Sequence, residues 1–342
     1  MTHRTNVVSR KPSGNAFQRE CLENHSVTNF KSLFSVPIPS ISTPFMPDGG
    51  IDHAHLETMV ERYLEWGHAV LMLTAGDSHF ACMTDREIAD VTGAVLKQVN
   101  HRAAVIVADR YFATPAACEF AAEMKRRGAD CYMAMPPDWG FSTTPESLVA
   151  HYRAIGRIMP VMVVTNVFAP RGPMGFGMEV CRRLLDVPEV VAIKDDVCGP
   201  FGRAMAALLS GEKAIISGGQ KQNHFDLAAY GAVGHLTTFG RVQPEPARAY
   251  WDACARGNLA VAQQIIRRID MPYFSLISSF RGGFNAGIYG SLELAGLARR
   301  CRRAPYETIT DADFERLRAF HESVPEILHD ITLQSPHGSS KR

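Results

Sequence analysis

From about residue 38 the chain switches repeatedly between two patterns of apolar and polar positions. Short, nearly continuous apolar runs occupy 39–43, 69–74, 104–109, 131–135, 161–166, 190–196, 214–218 and 234–238. They are too short for helices and lack the strict alternation of a half-exposed strand, so they read as strands buried on both faces. The stretches between them carry helical spacing and helix punctuation. Leu56, Met59, Val60, Tyr63 and Leu64 fall on one face before Gly67, and Thr84-Asp85-Arg86-Glu87 is a capping box. Thr114-Pro115 and Thr144-Pro145 each place an N-cap before a proline at the first helical position, and Gly128 ends the helix begun by the first of them.

Strand–helix units repeated at intervals of roughly 20 to 35 residues predict a closed (β/α)8 barrel, a TIM barrel, of α/β class. An open doubly wound sheet is the competing architecture, and the lack of a glycine-rich phosphate turn weighs against it. We assign the barrel to residues 32–255. After about Arg256 the pattern is helical only, with Thr310 as a late cap before Asp311 and Asp313, which predicts a C-terminal helical extension over 256–327. The polar, mildly basic residues 1–31 read as a flexible N-terminal arm and 328–342 as a tail.

Composition narrows the function classes. The 342 residues carry 36 basic and 35 acidic side chains, a formal charge of +1, so no global field favours nucleic acid or an anionic membrane. No apolar segment is long enough to span a bilayer, and the first residues lack a secretory core; an Arg-containing transit segment is the alternative for that region. Eight cysteines without a Cys-x-x-Cys pair read as reduced thiols of a cytoplasmic protein. No His-x-x-x-His or acidic cluster suggests a metal, and no cofactor is implied.

Candidate chemistry concentrates where the apolar runs end. In such a barrel catalytic groups sit at the C-terminal strand tips. There the chain places Thr74, Asp77 and His79; Asp109 and Arg110; Thr165 and Asn166; Lys194; Ser217; and Thr237 and Thr238. Lys194 follows the dry run 190–193. An amine in dry surroundings is a nucleophile that a carbonyl substrate traps as a Schiff base, whereas a solvated one merely pairs with Asp195 or Asp196. Lys213 and Lys221 read as solvated surface charges. His224 and His235 receive no role. Trp139 and Phe141 read as the floor of a pocket or an interface.

Several segments in order resemble the family of dihydrodipicolinate synthase and N-acetylneuraminate lyase, the class I Schiff-base aldolases. They are Thr43-Pro44-Phe45 with Asp48-Gly49-Gly50-Ile51-Asp52; Thr74-Ala75-Gly76-Asp77 with the capping box; Ala192-Ile193-Lys194-Asp195; and Tyr230-Gly231-Ala232-Val233-Gly234-His235. The resemblance covers about 39–307. It implies a barrel with a helical extension, usually a tetramer of two dimers, acting on pyruvate or a related 2-oxo acid through the lysine of strand six.

The departures are specific. Relatives read Gly-Thr-Thr-Gly-Glu after strand two, where this chain reads Leu73-Thr74-Ala75-Gly76-Asp77; Thr74 and the amides at Ala75 and Gly76 remain to bind a carboxylate. The strand-five tyrosine that relays protons in the family is replaced by Thr165, before Asn166, and a threonine hydroxyl is a poor acid–base group. Relatives' Pro-Tyr-Tyr after strand four becomes Pro136-Pro137-Asp138. Arg171 lies near the family's carboxylate-binding arginine, and Gly218 and Thr237 are further substrate-binding candidates. Asp109 and His79 are candidate replacements for the relay, weighed against a structural Asp109–Arg110 pair and a packed histidine. The expected function is therefore a Schiff-base lyase or aldolase on a 2-oxo acid, distinct from dihydrodipicolinate synthesis. An imine-based dehydratase or hydratase of a sugar acid and a non-catalytic 2-oxo-acid-binding barrel are the alternatives. A homo-oligomer, dimer or tetramer, is expected from the resemblance.

Overall fold

The computed structural model describes residues 27–333. Its strands are β1 (Pro37–Ile38), β2 (Val70–Met72), β3 (Ala104–Ala108), β4 (Cys131–Ala134), β5 (Val161–Val164), β6 (Val190–Asp195), β7 (Ala214–Ser217) and β8 (Ala232–Leu236). All pair in parallel, each with its sequence neighbour, and β1 returns to β8. A bridge from Ser40 to Met72 brings β1 against β2 and closes the ring. The architecture is a (β/α)8 TIM barrel, and β2 to β7 are buried along their whole length. That double-sided burial is the reason the runs are continuous rather than alternating.

Helices α1 (Val27–Leu33), α2 (His53–Glu65), α3 (Asp85–Val99), α4 (Thr114–Arg126), α5 (Pro145–Gly156), α6 (Met178–Leu184), α7 (Gly199–Leu209), α8 (Lys221–Ala228) and α9 (Pro244–Ala255) accompany the strands. The capping box at Thr84 forms, and the N-cap at Thr144 proves to be a second one, each hydroxyl accepting from the amide three residues on. At α4 the N-cap is instead Ala113, and the Thr114 hydroxyl is engaged by His151 Nδ1 at 2.9 Å. The first strand lies slightly earlier than the run 39–43, because the segment after Pro39 leaves the β8 ladder to meet Met72.

Both terminal boundaries differ from the sequence reading where they can be compared. Residues 1–26 of the expected arm and 334–342 of the expected tail lie outside the described residues. Residues 27–31 belong to α1, whose Phe30 is buried and whose Lys31 Nζ donates to the Ser210 and Gly211 carbonyls, both at 2.5 Å. Phe34, just after α1, is also fully buried. The extension comprises α10 (Leu259–Ile265), α11 (Met271–Ser278), α12 (Gly283–Leu294) and α13 (Asp311–Leu333). The last helix runs through 328–333 because Ile331 is an apolar anchor, 2% exposed. No helix among the described residues is long and apolar enough to cross a membrane.

Lys213 and Lys221 are not surface charges. Lys213 Nζ donates to the Val187 carbonyl at 2.8 Å, and Lys221 Nζ meets Asp270 Oδ1 at 2.7 Å. Each lysine lies buried where one element meets another, and periodicity along a single element does not reveal such a partner.

Candidate active site

Lys194 is the penultimate residue of β6, flanked in register by Val164 of β5 and Ile216 of β7. Two dry neighbouring strands leave it 5% exposed. Successive side chains on a strand point to opposite faces, so Lys194 and Asp196 share one side and Asp195 takes the other. Lys194 Nζ donates to both Asp196 carboxylate oxygens at 2.6 Å. Asp195 Oδ1 accepts from the Thr165 hydroxyl at 2.8 Å and the Val197 amide at 3.1 Å. Burial pushes its carboxyl above the ordinary value, against those donors and the Cys198 amide.

Lys194 and Asp196 open into a cavity of about 240 Å³ at the C-terminal ends of the strands. Thr74, Ala75, Gly76, Asp77, Asn166, Gly219 and Thr238 supply its polar wall, and Met133, Met135, Val164, Leu236 and Phe284 its apolar wall. Phe284 comes from α12, so the helical extension completes the mouth. A larger depression of about 320 Å³ lies at the opposite end of the barrel around Pro160, Pro188 and Glu189; its Lys125 is tied to the Ile158 carbonyl. The convergence of chemical groups, rather than size, picks out the Lys194 cavity.

The turn after β2 is built by its own side chains. The Ser78 hydroxyl accepts from the Thr74 amide at 3.0 Å, and the Thr74 hydroxyl accepts from the Asp77 amide at 2.9 Å. Among the described hydrogen bonds none uses the Ala75 or Gly76 amide as donor. Asp77 Oδ2 accepts from the Ser40 hydroxyl at 2.6 Å and lies 3.4 Å from Arg241 Nη1, which in turn donates to Ser40 Oγ at 2.6 Å. Burial alone would raise the Asp77 carboxyl, but Arg241, Ser40 and Lys194 hold it below the ordinary value. Arg241 is fully buried, and neither its Nε nor its Nη2 has a partner. Nothing in the apolar context of Arg241 announced this role; the ion pair exists only because β8 returns beside β1.

Several expected site residues stand elsewhere. Asp109 is fully buried, accepts from the Tyr132 hydroxyl and the Tyr111 amide (3.1 Å), and does not line the cavity. Burial pushes its carboxyl up to about 7 against these donors. Arg110 pairs with Asp85, not with Asp109. His79 is packed between Tyr289 and Tyr306, with Arg302 Nε 3.3 Å from its Nε2. Burial and that guanidinium push it down to about 4, which removes it as a proton shuttle at neutral pH.

Thr165 is likewise committed to structure, its hydroxyl donating to Asp195 and accepting from the Asp196 amide at 2.9 Å. Arg171 turns to Asp138 Oδ2 at 2.9 Å and stacks on Phe176, 4.1 Å from the ring centre, outside the cavity wall. Gly219 and Thr238 line the cavity where Gly218 and Thr237 were expected, a one-residue shift that moves a side chain to the other face. Thr237 instead accepts from the Gly240 amide at 3.1 Å. Thr74, Ala75, Gly76, Asn166 and Lys194 come together, and Asn166 Oδ1 is buried without a partner. Asp196, which the sequence offers only as one of two possible ion-pair partners, is the group the barrel adds to them. Trp139 is 93% and Phe141 59% exposed, so neither floors the cavity. His224 and His235 pack together against Trp251, away from the cavity wall. No cluster of three or more potential metal-ligating side chains occurs among the described residues.

Fold and cavity together define a parallel (β/α)8 barrel carrying a lysine and a carboxylate side by side at its C-terminal mouth. Residues 33–323 match the Dihydrodipicolinate synthetase family, and the chain belongs to that family. It is 28% identical over 285 residues to 4-hydroxy-tetrahydrodipicolinate synthase 2 of Streptomyces coelicolor, covering 83% of this chain and 93% of the relative. The fold matches dihydrodipicolinate synthase from Oceanobacillus iheyensis with a TM-score of 0.77 at 21% identity, over 88% of this chain and 100% of that one. It also matches Ruminococcus gnavus sialic acid aldolase, solved as wild type and as a catalytic lysine mutant. The wild type gives a TM-score of 0.75 at 16% identity over 88% of this chain and 99% of that one.

Proposed function

We propose that the protein is a Schiff-base-forming lyase or aldolase acting on pyruvate or a related 2-oxo acid. The observation that carries this is the Lys194 amine, nearly buried yet opening into a cavity whose opposite polar wall is the turn at Thr74, Ala75 and Gly76. A 2-oxo acid seated with its carboxylate on the Ala75 and Gly76 amides and the Thr74 hydroxyl presents its carbonyl to Nζ. Condensation gives a protonated imine, and this cation accepts the electron pair released or donated at the adjacent carbon when a carbon–carbon bond breaks or forms. Family membership supports the lyase class. The Ruminococcus gnavus aldolase, whose catalytic residue is a lysine, supports a lysine-based mechanism.

The substrate's remaining atoms meet Met133, Met135, Val164, Leu236 and Phe284, with no arginine in the wall among the described residues. This favours an acceptor without a second carboxylate and disfavours dihydrodipicolinate synthesis, whose aldehyde partner is charged. With Arg171 held by Asp138, the carboxylate contact that the resemblance implied for it is not made in this arrangement.

The test is borohydride trapping with pyruvate and a panel of small 2-oxo acids, read by intact mass and peptide mapping. A stable adduct on Lys194 is the expected result. A folded protein that traps none of the panel would overturn the reading for those acids.

A further inference from the structure

We infer that Asp196 is a catalytic residue, the acid–base group that moves protons during formation and release of the imine; this rests on the 2-oxo acid reading above. Among the described residues, the titratable side chains of the cavity wall are Lys194, Asp77 and Asp196. Asp77 is committed to Ser40 and Arg241. Asp196 touches the reacting nitrogen through both oxygens at 2.6 Å. Its side chain is 26% exposed, which leaves it open toward the cavity. Asp109, His79 and Thr165 are each held by partners outside the wall.

The backbone makes room for this carboxylate. A Cβ on Gly218 would come 2.3 Å from Asp196 Oδ1, so the glycine at the end of β7 leaves the space the carboxylate occupies. The Thr165 hydroxyl accepts from the Asp196 amide and fixes the turn from the other side.

The proton balance closes with this one group. Asp196 takes a proton from the Lys194 ammonium, and the free amine forms the nitrogen–carbon bond while the carbonyl π pair moves to oxygen. The Asp196 carboxyl protonates that oxygen and, as carboxylate, removes a second proton from the nitrogen. The nitrogen lone pair then expels the hydroxyl, which leaves as water with the second proton. The products are a protonated imine, one water and Asp196 again as carboxylate. Positioned acid–base groups of this kind contribute about 10²- to 10⁴-fold in rate.

The experiment follows imine formation in time by mixing the full chain with saturating pyruvate and quenching with borohydride at intervals. Wild type, Asp196→Asn and Asp196→Ala are compared at equal final trapping. The expected result is a loss of about 100-fold or more in the rate for both variants, with formate restoring part of the rate to Asp196→Ala only. A purely structural role would give no formate rescue. Rates within about threefold of wild type in the Asn variant would overturn the proposal while leaving the imine reading intact. Absence of an adduct in the wild type would overturn that reading and the proposal with it.

Discussion

The Cβ that Gly218 lacks would lie 2.3 Å from Asp196 Oδ1 and 2.8 Å from the Asp195 carbonyl oxygen. One missing methyl group just past the end of β7 thus leaves the space in which the carboxylate stands beside Lys194. Gly218→Ala is expected to displace Asp196 and slow imine trapping at least tenfold, with a fall in Tm because the Asp195 backbone must also move. Timed borohydride trapping and thermal denaturation of the same variant check both effects.

Asp109 and His79 supply the contrast. Both are buried away from the cavity wall, so Asp109→Asn and His79→Gln are expected to trap pyruvate within about twofold of the wild-type rate once folded. A loss comparable to that of Asp196→Asn would show that the barrel brings one of them to the reacting atoms in solution.

The Lys221–Asp270 pair joins α8 to the turn of the extension between α10 and α11, with both side chains at most 1% exposed. Asp270 also accepts from the Lys221 amide at 2.8 Å. Removing one partner leaves an uncompensated buried charge, so Asp270→Ala is expected to cost about 3–5 kcal/mol in urea denaturation. Replacing both residues by apolar ones of similar volume is expected to cost less than the single change.

Acid should destabilise the protein well before its surface carboxylates are protonated. Burial pushes His79, His151, His224 and His321 down to about 4, and lowers His235 well below its ordinary value. The unfolded chain therefore binds more protons than the folded one below the ordinary histidine value. Stability falls as pH drops from about 6.5 toward 4, by at most about 1.4 kcal/mol per pH unit for each group. Asp109, raised to about 7, acts in the opposite direction throughout that window and Asp130, raised to about 6, over most of it; the raised Asp195 acts in the same sense as these two. More histidines are pushed down than acids are pushed up, so the net slope is positive; urea midpoints at pH 7, 6 and 5 measure it. A midpoint that does not fall would contradict the burial of these rings.

The fold was written in periodicity. Continuous apolar runs at 104–108 and 190–193, and the capping box at Thr84, predict strand and helix through interactions within a few residues of each other. Lys194 was equally readable, because an ionic residue at the tip of a dry run stands out against its neighbours. Its partner was not: Asp195 and Asp196 are adjacent, and only the alternation of β6 inside a closed barrel turns one toward the nitrogen and the other toward Thr165.

By itself, then, the sequence determined the eight strand–helix units, the lysine at a strand tip and the turn at Thr74, because hydrophobic spacing and local hydrogen bonding act along the chain. The tertiary structure decided which polar groups share a cavity. Asp196 entered, Asp109 and His79 were withdrawn, and Lys221 and Arg241 found buried partners 49 and 201 residues away in Asp270 and Ser40. Such pairings depend on strand order and side-chain direction, and a carboxylate's neighbours across a barrel leave no trace in the residues beside it.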